Sequence, residues 1–122
     1  MSEPRTYVVI SPCRDEADYV RRTLDSMVAQ SERPTLWIIV DDGSTDASPE
    51  ILAEYASTYD WIRVVSKPDR GRRAVGPGVI EAFYFGAEQV DLSDYAYCCK
   101  LDLDLDLPPN YFSTLMDRME AD

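Results

Sequence analysis

The 122-residue sequence has no histidine and no Cys-x-x-Cys pair. Zinc chemistry and a Ser-His-Asp arrangement are therefore excluded within it. Cysteine is sparse, and the three present, Cys13, Cys98 and Cys99, include one adjacent pair. Neighbours along a strand point to opposite faces, so a bridge between Cys98 and Cys99 is disfavoured, and all three are read as reduced, as in the cytoplasm. Basic residues are also few: 12 stand against 23 acids, for a formal net charge of -11. That balance argues against general binding to nucleic acid or to an anionic membrane and suits a metal ion or a cation-bearing ligand. No apolar run reaches the roughly 20 residues that span a bilayer, and the opening MSEPRT lacks the apolar stretch of a signal peptide. No membrane segment is expected, which leaves open peripheral membrane association of a full-length protein.

What is present describes one small α/β domain over residues 1–122, with an apolar share of 45% sufficient for a core. Buried strands are expected at Tyr7 to Ile10 and Leu36 to Val40, and further strands at Ile62 to Val65 and Tyr95 to Leu101. Apolar residues at spacings of three and four predict a helix from Glu16 to Val28 with Asp15 and Glu16 at its N-terminus, and another from about Val79 to Val90. A third helix is expected to be capped by Ser48 with Pro49 at its first position, and a last one to run through Tyr111, Phe112, Leu115, Met116 and Met119. Alternation of this kind predicts a mostly parallel sheet with helices on both faces.

In such sheets ligands bind outside the carboxyl ends of the strands, near the point where strand order reverses. The unusual residues gather at those ends. Ser11 to Arg14 follow the first strand, Asp41 and Asp42 the second, a loop carrying Arg70, Arg72 and Arg73 the third, and Asp102, Asp104 and Asp106 the fourth. Leucines alternate with these last acids, so an extended backbone would anchor one face in the core and gather carboxylates on the other. Mg²⁺ or Mn²⁺ favours such oxygens and usually takes one or two carboxylates from the protein. Asp41, Asp42 and the following Gly-Ser-Thr-Asp equally suit a plain turn into a helix. The arginines suit either a diphosphate or the neutralisation of nearby acids. An EF-hand is excluded because Leu107 and Ser113 stand where glycine and glutamate are needed. A P-loop is excluded because Pro77 and Gly78 follow Gly76. An Asp-x-Asp after a buried strand resembles a haloacid-dehalogenase-like phosphatase only locally.

Taken in order and spacing, YVVISPCRDEADYVRRTLDSMVAQ, VDDGSTDASPEIL and CCKLDLDLDLPPNYF resemble the donor-binding half of family 2 glycosyltransferases of the GT-A fold, from about Tyr7 to Met119. The resemblance implies a Rossmann-like nucleotide-binding half. It also implies transfer with inversion from a nucleoside-diphosphate sugar, UDP-sugar favoured, to an unknown acceptor, assisted by Mg²⁺ or Mn²⁺. It places Ser11, Pro12, Cys13, Arg14 and Glu16 along the nucleotide pocket, Asp42 at the base with Asp41 beside it, and Arg72 near the base or phosphates. Asp102 and Asp104 match its Asp-x-Asp element, with Asp104 and then Asp102 toward the metal, and Asp106 open to a two-residue shift of that assignment. The expected general base lies beyond Asp122. The chain therefore reads as a truncated domain that carries the donor site, is inactive alone and is prone to self-association. The alternatives are a non-catalytic Mg-nucleotide-binding module and a receiver-like signalling domain. A receiver would group its acids after the first and third strands.

Overall fold

The structure, a computed structural model, describes residues 5–67 and 77–121, the side chains of 77–80 excepted. The elements run β1 (Tyr7–Cys13), α1 (Val20–Val28), β2 (Leu36–Asp41), α2 (Ser48–Thr58), β3 (Ile62–Ser66), α3 (Pro77–Ala87), a 3₁₀ turn (Leu92–Asp94), β4 (Tyr97–Lys100) and α4 (Tyr111–Ala121). All four strands are parallel, in the order β3-β2-β1-β4. The chain thus builds outward from β1 to β3, then crosses back to place β4 on the other side of β1.

Side-chain alternation divides the core into two layers. On one face Tyr7, Val9, Trp37 and Ile39 pack with Val20, Leu24, Met27, Leu52, Phe112 and Met116, so α1, α2 and α4 share it. On the other, Val8, Ile10, Ile38 and Val40 pack with Ala82, Phe83 and Phe85 of α3. Gly86 allows that close approach, because a Cβ there would lie 2.7 Å from Ile10 Cγ2 and 2.8 Å from Val40 Cγ2. Helices cover both faces, as the alternation of apolar runs predicts.

Several boundaries differ from the sequence reading, among them β4, which spans Tyr97–Lys100 and not Tyr95 to Leu101. Strand β1 continues through Ser11 and Pro12 to Cys13. Proline is tolerated because the Ile10 carbonyl accepts Leu101 N–H on the β4 side, and Pro12 shares that parity. Its missing donor therefore faces the side that β4 has already left. Helix α1 starts at Val20, with no acid in its first turn, because residues 15 to 18 are held in a turn by the β2–α2 loop. Helix α3 ends at Ala87, short of Val90, and a 3₁₀ turn at Leu92–Asp94 leads into β4. Ser48 is the first residue of α2 and not its cap. Its N–H is taken by Asp46 Oδ1 at 2.8 Å, and its hydroxyl accepts Glu16 N–H at 3.0 Å.

Candidate functional site at the carboxyl edge of the sheet

Strand register fixes the shape of the edge. Cys13 stands opposite Asp41, whereas the β1–β4 ladder ends at Ile10 opposite Lys100, extended only by Leu101 N–H on Ile10 O. The last three residues of β1 therefore have β2 on one side and no strand on the other, at the point where strand order reverses. The acid-bearing ends of β2 and β4 flank it, separated laterally by two strand spacings, about 10 Å.

Two loops form the β2 side, and they are stitched together. The Asp15 carboxylate accepts Thr45 N–H at 2.7 Å, Asp46 N–H at 3.2 Å and the Thr45 hydroxyl at 3.3 Å. In return Asp15 N–H donates to Ser44 Oγ at 3.0 Å and Ala17 N–H to Asp46 Oδ2 at 3.1 Å. Asp15 reaches this geometry with φ 54°, in the left-handed region that Asp and Asn enter more readily than most residues. Gly43, with φ 74°, turns the opposing loop. The bonds from Ser48 hold the Asp46 carboxyl below the usual aspartate range. Sequence reasoning treated Asp15 as a helix-end charge. The only available signs of this clamp were the acids of one loop, Asp15 and Asp18, and the Ser44-Thr45-Asp46 run of the other.

The paired acids divide their work. Asp41 is buried, and its Oδ1 accepts Ser44 N–H at 3.2 Å, the turn expected of such a sequence. Asp42 donates its N–H to Cys13 O at 2.8 Å and faces Lys67, whose Nζ lies 3.6 Å from Asp42 Oδ1 and 3.7 Å from Glu81 Oε2. Lys67 was not singled out from sequence, since nothing in an isolated lysine after a strand signals an ion pair.

Ser11 is fully buried, and its hydroxyl accepts the indole N–H of Trp37 at 2.9 Å. Cys13 is also buried, and desolvation, reinforced by Asp41, pushes its thiol up to about 12. It is therefore a neutral packing group at physiological pH. Pro12, Arg14 and Glu16 are partly exposed at the same strand end. Arg72, with Arg70 and Arg73, lies outside the described residues.

On the β4 side, Leu101 and Leu103 are buried while Asp102 and Asp104 are exposed, as the alternation predicts. The pattern then stops. Leu105 is 41% exposed, because Thr23 of α1 holds its backbone instead, accepting Leu105 N–H at 3.0 Å and donating to Leu105 O at 2.5 Å. Gln30 fastens the far end, with Nε2 on Pro108 O at 2.7 Å and Oε1 accepting Phe112 N–H at 3.2 Å. Asp102 pairs with Lys100 at 2.7 Å, and Asp104 and Asp106 stand exposed. No group of three or more acids or cysteines able to hold a metal occurs among the described residues. The donor set nevertheless fits a hard divalent ion that draws one or two carboxylates from protein and its other oxygens from water and phosphate.

The sequence profile of glycosyl transferase family 2 matches residues 8–122, and the chain belongs to that family. Membership sets aside the receiver-like and phosphatase-like alternatives. Over 95% of its length the chain is 28% identical to the uncharacterized glycosyltransferase YibD of Escherichia coli, covering 31% of that protein. Among solved structures it resembles Staphylococcus aureus TarS 1-349 in complex with UDP, with TM-score 0.75, 19% identity, and coverage of 95% of this chain and 32% of that one. It also resembles the mannosyltransferase PcManGT from Pyrobaculum calidifontis in complex with GDP-Man and Mn²⁺, with TM-score 0.58, 22% identity, and coverage of 74% and 26%. These likenesses establish the fold, an α/β sheet of the GT-A type. The chain spans from 10% to 31% of the length of such curated relatives. Among the described residues no helix is long and apolar enough to cross a membrane.

Proposed function

We propose that this chain binds a nucleoside-diphosphate sugar, UDP-sugar by preference, as the donor domain of an inverting, metal-assisted glycosyltransferase. One observation carries the reading: the acid-bearing ends of β2 and β4 flank the open end of β1 on a single sheet edge. The base lies against Asp42, with the Pro12 to Glu16 loop as its floor and Ser11, Cys13 and Asp41 supporting that floor from within the fold. Arg72 is assigned to the base or the phosphates. Asp102 and Asp104 take the ribose and diphosphate side, where Asp104 and Asp102 would hold Mg²⁺ or Mn²⁺, with Asp106 next in line. The bound ion would supply Lewis-acid stabilisation of charge on the departing diphosphate. We assign no general base within this chain, and the acceptor is unidentified.

The ligands of the fold neighbours, UDP for TarS and GDP-Man with Mn²⁺ for PcManGT, support a nucleotide donor as the ligand class. Calorimetric titration with UDP, GDP, CDP and dTDP, each with and without Mn²⁺, tests the reading. The expected result is binding that is tightest for UDP and strengthened by Mn²⁺. Equal, metal-independent binding of all four, or none, overturns it.

A further inference from the structure

Lys67 is nearly buried, with a side chain only 10% exposed, although a lysine just past a strand would normally reach into water. Its burial is explained by where its backbone is held. Lys67 N–H donates to Asp41 O at 2.9 Å, extending the β2–β3 ladder by one bond and placing the residue beside Asp42. The ammonium then sits between Asp42, itself only 14% exposed, and the more open Glu81 of α3. Among the described residues two acids thus face a group that carries three N–H donors.

We propose that Lys67 determines which base edge the site accepts. The inference rests on the reading that Asp42 faces the base and goes beyond it by naming the pattern that is read. Asp42 offers a carboxylate acceptor, and Lys67 beside it offers a donor and a positive charge. The complementary ligand edge presents an N–H next to a carbonyl oxygen. Uracil and thymine have that edge at N3–H beside a carbonyl, and guanine has it at N1–H beside O6. Cytosine held in the same register mismatches at both points: its ring N3 is an acceptor that meets the carboxylate head-on, and its amino group meets the ammonium, while its own N–H beside an acceptor, N4–H next to N3, lies one position along the ring. Adenine likewise sets N1, an acceptor, beside an amino group. A site built to pair with such groups rejects a mismatched edge strongly, because buried polar atoms are left unpaired.

Lysine also fixes how the carboxylate is presented. With Asp42 Oδ1 facing the ammonium, Oδ2 is the oxygen left to receive the ligand N–H. Without the cation, Asp42 and Glu81 would face one another as like charges.

The test is calorimetric titration of the chain and its variants with UDP and CDP in Mn²⁺, alongside denaturant unfolding of each variant. Wild type should prefer UDP over CDP by at least about tenfold, equivalent to about 1.4 kcal/mol. Lys67→Met should weaken UDP and reduce the preference to within about threefold, and Lys67→Arg should restore most of it. A Lys67→Met protein that unfolds normally yet keeps the full preference overturns the inference. So does a wild type that binds both nucleotides equally, or neither. If Lys67→Met fails to fold, Lys67→Arg and Lys67→Gln decide, the first keeping the preference and the second losing it; equal preference in both overturns it. Asp42→Asn separates this from the parent reading. Loss of UDP binding in Asp42→Asn with no effect of Lys67→Met rejects only the lysine's role, whereas unchanged binding in Asp42→Asn rejects the placement of the base.

Discussion

The hydroxyl of Ser11 and the indole of Trp37 meet in the core, with the N–H donated across 2.9 Å from β2 to β1. A fully buried Trp needs an acceptor for its N–H, and Ser11 supplies one near the carboxyl end of β1. Ser11→Ala should therefore cost about 1–3 kcal/mol in denaturant unfolding, the usual penalty for an orphaned buried donor. The folded variant should bind UDP within about twofold of wild type, because the hydroxyl faces the indole. A tenfold loss, about 1.4 kcal/mol, would place it against the ligand instead.

Substitutions at Asp15 should rank by two properties, the acceptor and tolerance of φ 54°. Asp15→Asn keeps a carbonyl oxygen for Thr45 and Asp46 and still enters the left-handed region, so it should be mildest. Asp15→Gly accommodates the backbone and loses the clamp. Asp15→Ala loses both and should be worst, by about 1–3 kcal/mol overall. Thermal unfolding of the three variants measures the order, and an Ala variant as stable as Asn would refute the clamp.

Thr23 and Asp104 should affect metal dependence by different routes. Thr23→Val preserves shape but releases both bonds to Leu105, loosening the backbone between Asp104 and Asp106. UDP titration should show the Mn²⁺ enhancement reduced several-fold, and Thr23→Ser should restore it. Asp104→Asn should abolish the enhancement with no change in unfolding midpoint. If the enhancement survives in Asp104→Asn, the ion is held elsewhere.

Asp46 gives a pH signature. Its folded carboxyl is held below the ordinary value by the bonds from Ser48. Its contribution to stability is therefore complete above the unfolded value, about 4, and is lost as pH falls through the lower folded value. Urea unfolding of wild type and Asp46→Asn should differ above pH about 5 and converge on acidification. A difference independent of pH would assign the effect to shape and not to charge.

The four strands were legible because each centres on a compact apolar run, although only the central β1 and β2 are buried on both faces. The shared edge was legible for a related reason: chemistry-bearing residues follow strands, and parallel strands deliver them to one edge. Contacts between loops were not. The Asp15 clamp joins residues 30 apart, and the Thr23 pin joins residues 82 apart. Local spacing carries no record of either. The same limit explains the early start expected for α1. Ala17 extends the helical stripe on paper, but bonds from the neighbouring loop hold its backbone in a turn. Leu105 repeats the lesson, since it continues the leucine alternation yet lies exposed once Thr23 has fixed its backbone.

The strand order also bears on how the molecule assembles. Strands β1 and β2 are joined by contacts spanning 28 residues, whereas the β1–β4 side closes across 90, as between Thr6 and Ala96. Loop-closure entropy rises with that span, and distant pairings reward the chain only after the entropy is spent. Strand β4 is therefore expected to dock after its neighbours, bringing the DLDLD corner with it. Half of the pocket would then exist before the other half arrives, and nucleotide capture during refolding would time the final step of sheet closure.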